Sequence, residues 1–459
     1  MLLRFRCKNF RSIREEQEIS LIAAKTRTDE RSESLIDTPF DDLKLLRCAA
    51  IYGPNASGKS NVLDALATFR RIVSGSWRAW KPDGAIPEFD PFVLDETSRE
   101  GRTTFELTFL LDSRIYRYGF SYDRREFSNE VLVDATGRND RILFRRPNGS
   151  EVAAFPGGNL WSSAFEKRTI EDIGREVRGR PNSLFLSAAA QRAFPLLLGI
   201  YSRLTRDFRA MHWKNLTERQ RYTAEMCSQK GFCDKIQALL GFADAGIAGI
   251  EASRRDLPED EKKAINAMMK ALRESDPERY ASASMESPEF PQIPEVRMVH
   301  SGADGRGYAL DESKESDGTQ AYFAALGPVL RALERGEVLL IDELESSLHP
   351  KLSRELVRIF NSSELNPKGA QFIFTTHNSN LLDLGLLRRD QVWFAEKSRE
   401  GSTRLYPLTD FQPRMNQNIE LGYLGGRFGA TPYLDEQLLS DALIPSEPAQ
   451  ASLEFSGEK

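Results

Sequence analysis

Apolar positions recur along this chain in several rhythms, and each rhythm predicts a different element. Residues 2–10 and 17–23 alternate or cluster apolar side chains around a charged turn, Arg11 to Glu16, which predicts the two strands of a hairpin. Cys48 to Tyr52 is a continuous apolar run closed by Gly53-Pro54, the pattern of a buried strand. From Asn61 to Val73 the apolar residues fall at 62, 63, 66, 69, 72 and 73, which is helical spacing. Residues 76–100, with Pro82, Gly84, Pro87 and Pro91, predict a loop. Thr103–Leu111, Arg114–Tyr122, Glu130–Val133 and Arg141–Arg145 are short β-rich runs parted by turn residues, which predicts an antiparallel meander. Ser183 to Ser282 is expected to be helical, and its stretch Glu259–Arg279 is charge-rich without a sustained heptad. Residues 295–310 predict a second hairpin, turning at Gly302–Gly307. Beyond 315, helices at 318–334 and 350–360 precede strands Val338–Ile341 and Gln371–Thr375, an α/β alternation. The polar tail beyond Ser446 predicts disorder, and no internal repeat is present.

Composition narrows this picture little. The chain has 459 residues, 40% hydrophobic and 29% charged, enough apolar material for a core and too much for disorder throughout. At roughly 100–200 residues per domain, it holds two to four domains or one large domain with insertions. The net charge of −5 excludes an overall basic coat but leaves a local basic groove open. Cys7, Cys48, Cys227 and Cys233 include no CxxC pair, and His212, His300, His349 and His377 include no HxxxH pair, so neither a disulfide scaffold nor a zinc enzyme is expected. No apolar stretch of about 18 residues suits a membrane span. The charged N-terminus lacks the apolar core of a signal peptide, so a cytoplasmic protein is expected.

The chemistry is concentrated in three places. Gly53-Pro54-Asn55-Ala56-Ser57-Gly58-Lys59-Ser60 matches GxxxxGK[ST], and with Asn61 it joins a predicted strand to a predicted helix. Glycine lets such a loop fold back so that backbone N–H groups converge on phosphate oxygens, and the helix N-terminus adds partial positive charge. Lys59 is expected to reach the β- and γ-phosphates, and the Ser60 hydroxyl to take a Mg²⁺ position. Val338–Ile341 ends in Asp342-Glu343, which places two acids at the C-terminal edge of a strand. Asp342 is expected to hold the Mg²⁺ shell, and Glu343 to orient the attacking water. The next strand, Gln371–Thr375, leads to His377, which is placed to contact the γ-phosphate. Ser316-Asp317-Gly318 opens a helix 26 residues before Asp342, where a hydroxyl and backbone N–H groups can face an anion; the same triplet is also an ordinary turn and N-cap.

Taken together these motifs resemble the ABC-type ATPases of the SMC, RecF and OLD-like group. "FRCKNFRSI…EISL" resembles the group's N-terminal strand pair, "IYGPNASGKSNVLDAL" its Walker A segment, and "ESDGTQ" its signature. "VLLIDELESSLHP" resembles Walker B with the D-loop, and "QFIFTTHNSNLL" the switch-histidine segment. The resemblance implies a P-loop NTPase with an ABC-type head, an antiparallel β subdomain and a helical insertion. Its lobes would be 1–182 and 293–445, the insertion 183–292 and the tail 446–459. It also implies ATP and Mg²⁺ as ligands and a head-to-tail homodimer. Ser316 and Gly318 would then complete the partner's site, and Ser347 would cross the interface. Gln191 is a candidate for the Q-loop glutamine.

"DQVWFAEKSREGSTRLYPLTDF" and "YLGGRFGATPYL" look like the C-terminal part of standalone OLD-like ATPases of phage-defence systems. That likeness implies a sensor or regulator whose separate effector is a neighbouring nuclease or toxin. No DxD pair follows His377, so Toprim nuclease activity is not expected. Two rival readings keep the fold. One is a RecF-like DNA-repair ATPase, which needs the arginine pairs at 70–71, 124–125, 145–146, 254–255 and 388–389 to form a duplex-DNA groove. The other is a slow switch that holds a toxic partner.

Overall fold

The computed structural model describes residues 1–25, 32–82, 84–147, 153–154, 164–192, 194–211, 216–244, 246–275, 292–414, 417–432 and 443. The predicted tail beyond 446 lies outside them, as does His212.

A mixed sheet of six strands forms the centre, in the order 208–211, 338–341, 371–375, 48–52, 392–397, 403–407. All neighbours run parallel except the last pair. Cys48–Tyr52, Val338–Ile341 and Gln371–Thr375 are buried at every residue. Strands covered on both faces need continuous apolar runs rather than alternation, which is what made these three readable. Their register aligns Ile341 with Phe374 and Thr375 with Ile51, so the chain segments that follow emerge side by side at one edge.

A second sheet has seven antiparallel strands, in the order 153–154, 141–147, 127–134, 114–122, 103–111, 2–8, 17–20. The predicted hairpin and the predicted meander are thus parts of one sheet, joined where Phe5 pairs with Leu107. Alternation directs Phe5, Phe105, Tyr118, Phe120 and Tyr122 inward, and the phosphate-loop helix Lys59–Gly75 lies across them. Phe69 stacks on Phe120 with centroids 5.3 Å apart and is 1% exposed. Burying that ring stabilises the fold by roughly 2–3 kcal/mol. The helix's other side meets Ile51, Leu340 and Ile373 of the central sheet.

The opposite face of the central sheet carries Ala50, Tyr52, Leu339, Ile341, Phe372 and Phe374, packed against helices Asp317–Arg335 and Pro350–Asn361. Pro328 interrupts the first of these helices and leaves the Ala324 carbonyl without its usual donor. Thr223, from helix Leu216–Cys227, donates its hydroxyl to that carbonyl at 3.3 Å and accepts from the Gly327 N–H at 3.2 Å. Gly327 permits this approach, because a Cβ there would lie 2.5 Å from Thr223 Oγ1.

Three elements depart from the expected pattern. The stretch 183–282 is not uniformly helical. Phe208–Met211 is a strand of the central sheet, and Ile247–Arg255 forms a three-stranded antiparallel sheet with Ile293–Ser301 and Gly307–Asp311. Within the expected loop 76–100, Asp95 caps a short helix, Glu96–Glu100, by accepting from the Ser98 N–H at 2.7 Å.

Candidate nucleotide site

The loop from Gly53 to Ser60 leaves the strand 48–52 and enters the helix at Lys59. Two glycines are required by what surrounds them. A Cβ at Gly53 would lie 2.2 Å from the Ala395 carbonyl, and one at Gly58 would lie 2.0 Å from Thr403 Oγ1. Gly58 also has φ 95°, which favours glycine. Pro54 is half-buried, and Asn55 and Ala56 form the exposed tip. Ser57 is buried, and its hydroxyl has no hydrogen-bond partner among the described residues.

Behind the loop stands a polar brace that the sequence pattern does not reveal. Thr403 Oγ1 donates to the Ser57 carbonyl at 2.9 Å and pairs with Ser12 Oγ at 2.7 Å; Asn61 Nδ2 donates to the same Ser12 oxygen at 2.6 Å. Asn61 therefore supports the loop from behind. Ser12 belongs to the hairpin turn and Thr403 to the last strand of the central sheet, 391 residues apart. No spacing rule connects such positions; only the folded contact does.

Lys59 is buried, and its ammonium donates to the carbonyls of Gly53 at 2.8 Å and Pro54 at 3.0 Å. Burial lowers its pKa to about 8, against the opposing pull of Asp342, Glu345 and Glu343. Ser60 Oγ donates to Asp342 Oδ1 at 3.0 Å, across 282 residues of sequence. Thr375 Oγ1 donates to the same oxygen at 2.6 Å, which fixes the carboxylate from the neighbouring strand. The phosphate loop and the acidic strand end are one site.

After Asp342 the chain turns sharply. Glu343 and Ser347 have φ of 52° and 62°, a costly region for residues with a Cβ. The Glu343 N–H donates to Thr375 Oγ1 at 2.7 Å and the Leu344 N–H to the Thr375 carbonyl at 3.0 Å. These bonds point the Glu343 side chain outward, where it is exposed. Glu345 turns the other way. Its Oε2 accepts from Thr376 Oγ1 at 2.6 Å, and its Oε1 accepts from the backbone N–H of His377. The His377 side chain is largely exposed, and its pKa is lowered by partial desolvation and by Lys59, with Glu345, Glu343 and Asp342 opposing.

Ser316 and Gly318 lie elsewhere on the surface. Ser316 caps helix Asp317–Arg335 by accepting from the Thr319 N–H at 3.1 Å. A Cβ on Gly318 would sit 3.3 Å from the Ser347 carbonyl, so the helix start abuts the turn beyond Glu343. Among the described residues no hydrogen bond joins Ser316 or Gly318 to the phosphate loop. Gln191 is also remote. Its Oε1 accepts from Arg78 and its Nε2 donates to the Ser187 carbonyl at 3.4 Å. Arg78 lies beyond the C-terminus of the phosphate-loop helix, whose 17 residues span about 25 Å, so Gln191 does not line this site. In the segment 417–430, Tyr423 and Phe428 stack on Phe394 next to Tyr52.

The donor set fits a magnesium nucleoside triphosphate. Ser60 and Asp342 present hard oxygens to one point, as Mg²⁺ prefers. Lys59 and the helix N-terminus present positive charge beside them. A parallel sheet with this loop after one strand and this acid pair after another is the pattern of a P-loop NTPase. The chain belongs to the family described as "AAA domain, putative AbiEii toxin, Type IV TA system", which it matches over residues 48–383. Among solved structures it is similar to an SMC head bound to the C-terminal winged-helix domain of ScpA, at 13% identity and TM-score 0.42 over 89% of this chain and 99% of that one. It is also similar to the SMC head domain from Thermotoga maritima, at 13% identity and TM-score 0.38 over 88% of this chain and 98% of that one. No curated protein matches the chain. Among the described residues no helix is long and apolar enough to cross a membrane.

Proposed function

We propose that this chain hydrolyses ATP to ADP and phosphate as a head-to-tail dimer, and acts as a nucleotide-dependent regulator of a separate effector in bacterial antiviral defence. The observation that carries the ATPase reading is the bond from Ser60 to Asp342, with the exposed Glu343 one residue further on. Mg²⁺, held by Ser60 and Asp342, would offset charge on the β- and γ-phosphates. Lys59 gives up the carbonyls of Gly53 and Pro54 for phosphate oxygens. The Glu343 carboxylate orients a water for in-line attack, and His377 meets the γ-phosphate from the neighbouring strand. Little reactive chemistry is needed, because positioning and charge stabilisation supply most of the acceleration.

The dimer rests on the signature. Ser316 and Gly318 offer a helix N-terminus to an anion, and among the described residues they make no hydrogen bond to their own phosphate loop. A second copy, related by two-fold symmetry, would bring each signature to the other's triphosphate. Residues 1–182 and 293–445 then act as the two lobes. The insertion 183–292, which also lends one strand to the central sheet, meets the effector. The family's description as a putative toxin of a two-part system supports a working partner for this chain. The rival DNA-repair reading is less well supported among the described residues: Arg146 and Arg388 are buried, and Arg71, Arg254 and Arg255 pair with Glu88, Glu225 and Glu295.

The test is Glu343→Gln. The variant should bind ATP as the wild type does, lose turnover by at least about 100-fold, and accumulate as an ATP-bound dimer in size-exclusion chromatography. Wild-type turnover in that variant would show that Glu343 does not orient the attacking water.

A further inference from the structure

Two carboxylates leave the turn after Asp342, and the structure gives them different tasks. Glu343 is exposed with no partner for its side chain among the described residues, as a group that must reach water requires. Glu345 is committed at both oxygens, one to the Thr376 hydroxyl at 2.6 Å and the other to the His377 N–H. A carboxylate that accepts a backbone N–H and a hydroxyl makes charge-assisted bonds, about twice as strong as neutral ones. These two bonds reach the two residues that follow strand Gln371–Thr375. The Thr376 N–H still donates to the Ile51 carbonyl at 3.1 Å, so the bond from the His377 N–H is the one that carries the hold past the strand ladder.

The same turn also reaches the signature. Leu348 N–H donates to the Glu345 carbonyl at 3.1 Å and Ser346 N–H to the Glu343 carbonyl at 2.8 Å, which closes the turn on both sides of Glu345. Ser347, two residues on, presents its carbonyl to Gly318. One short segment thus contacts the start of the signature helix at one end and the backbone of His377 at the other.

We propose that Glu345 is a positioning residue: it fixes His377 against the γ-phosphate site and ties that histidine's position to the turn that abuts the signature. This rests on the ATPase reading and deepens it. When a second copy engages Ser316 and the turn at Ser347, any movement of that turn passes through the Glu345 carboxylate to the segment bearing His377. Both oxygens of Glu345 are taken up by Thr376 and His377 and neither is offered to the nucleotide. Removal of Glu345 should therefore spare nucleotide binding and impair turnover.

The test compares Glu345→Ala and Glu345→Gln with Glu343→Gln in the full chain. Glu345→Ala should keep the ATP affinity of the wild type within about threefold and lose kcat by about 30–100-fold, the cost of two charge-assisted bonds partly recovered by water. Glu345→Gln keeps an acceptor for one donor and should recover part of kcat, whereas a side chain needed only for bulk would be fully replaced by glutamine. A second readout does not depend on turnover. The chain has four histidines, so ring labelling with ¹³C and a His377→Gln control isolate one resonance. Because the Glu345 charge raises the His377 pKa, that pKa should fall in both Glu345 variants. Wild-type kcat in Glu345→Ala, together with an unmoved His377 titration, would overturn the proposal. If Glu343→Gln still loses turnover in that case, the ATPase reading stands and only the role of Glu345 falls.

Discussion

At the phosphate loop, polar side chains are tied to distant parts of the same chain: Ser60 to Asp342, Asn61 to Ser12, Thr403 to the Ser57 carbonyl. At the signature, among the described residues the Ser316 hydroxyl bonds to Thr319 alone, three residues away in its own helix start. The first region is assembled and braced before any ligand arrives. The second presents an exposed, capped helix N-terminus whose start abuts the turn at Ser347. On the proposed reading, a single chain binds nucleotide in a preformed cradle while the groups that complete the reaction come from another copy. Binding and turnover should then separate under mutation, each following one region.

The sharpest break of that comparison is at Lys59. Lys59→Ala removes the cation of the braced region. Two charge-assisted contacts at roughly 1.5–3 kcal/mol each make the loss of ATP affinity on the order of a thousandfold, read by isothermal calorimetry. Ser316→Arg leaves the braced region intact and fills the outward one with bulk. ATP affinity of the single chain should stay within about twofold, while steady-state turnover falls by on the order of 100-fold. Equal losses of binding in both variants would erase the distinction between the regions.

A smaller effect is expected from pH. Burial holds the Lys59 pKa near 8, below the ordinary lysine value, and a bound triphosphate favours its charged form. Affinity should be flat below that pH, where the ammonium is already charged. Above it, each binding event must take up a proton, so affinity should fall by up to about tenfold per pH unit. A fluorescent ATP analogue titrated between about pH 7 and 9.5 reads this, and an affinity unchanged across that range would place the lysine outside the phosphate site.

The legibility of the molecule followed the same division. Strands Cys48–Tyr52, Val338–Ile341 and Gln371–Thr375 were readable because burial on both faces forces an apolar run, and the loop and acid pair at their ends were readable because their spacing is local. Strand Phe208–Met211 was not. It is four residues long, contains Arg209 and follows a helix directly, so nothing local marks it, and its pairing with Val338–Ile341 defines it. Ser12, Thr403 and Glu345 escaped for a related reason: each is an ordinary polar residue until folding brings its partner within 3 Å. Gln191 shows the opposite error, a residue type matched to a role without a contact to place it.

The central claim is that the working site is shared between two copies, and one mixing experiment addresses it. Lys59→Ala and Ser316→Arg proteins, each inactive alone, are combined in equal amounts with ATP and Mg²⁺. A symmetric dimer built as proposed gives the mixed pair one intact site, made of Lys59 from one copy and Ser316 from the other, so turnover should recover to about a quarter of the wild-type rate. A mixture as inactive as its components, under conditions where chromatography shows that mixed dimers form, would contradict a shared site.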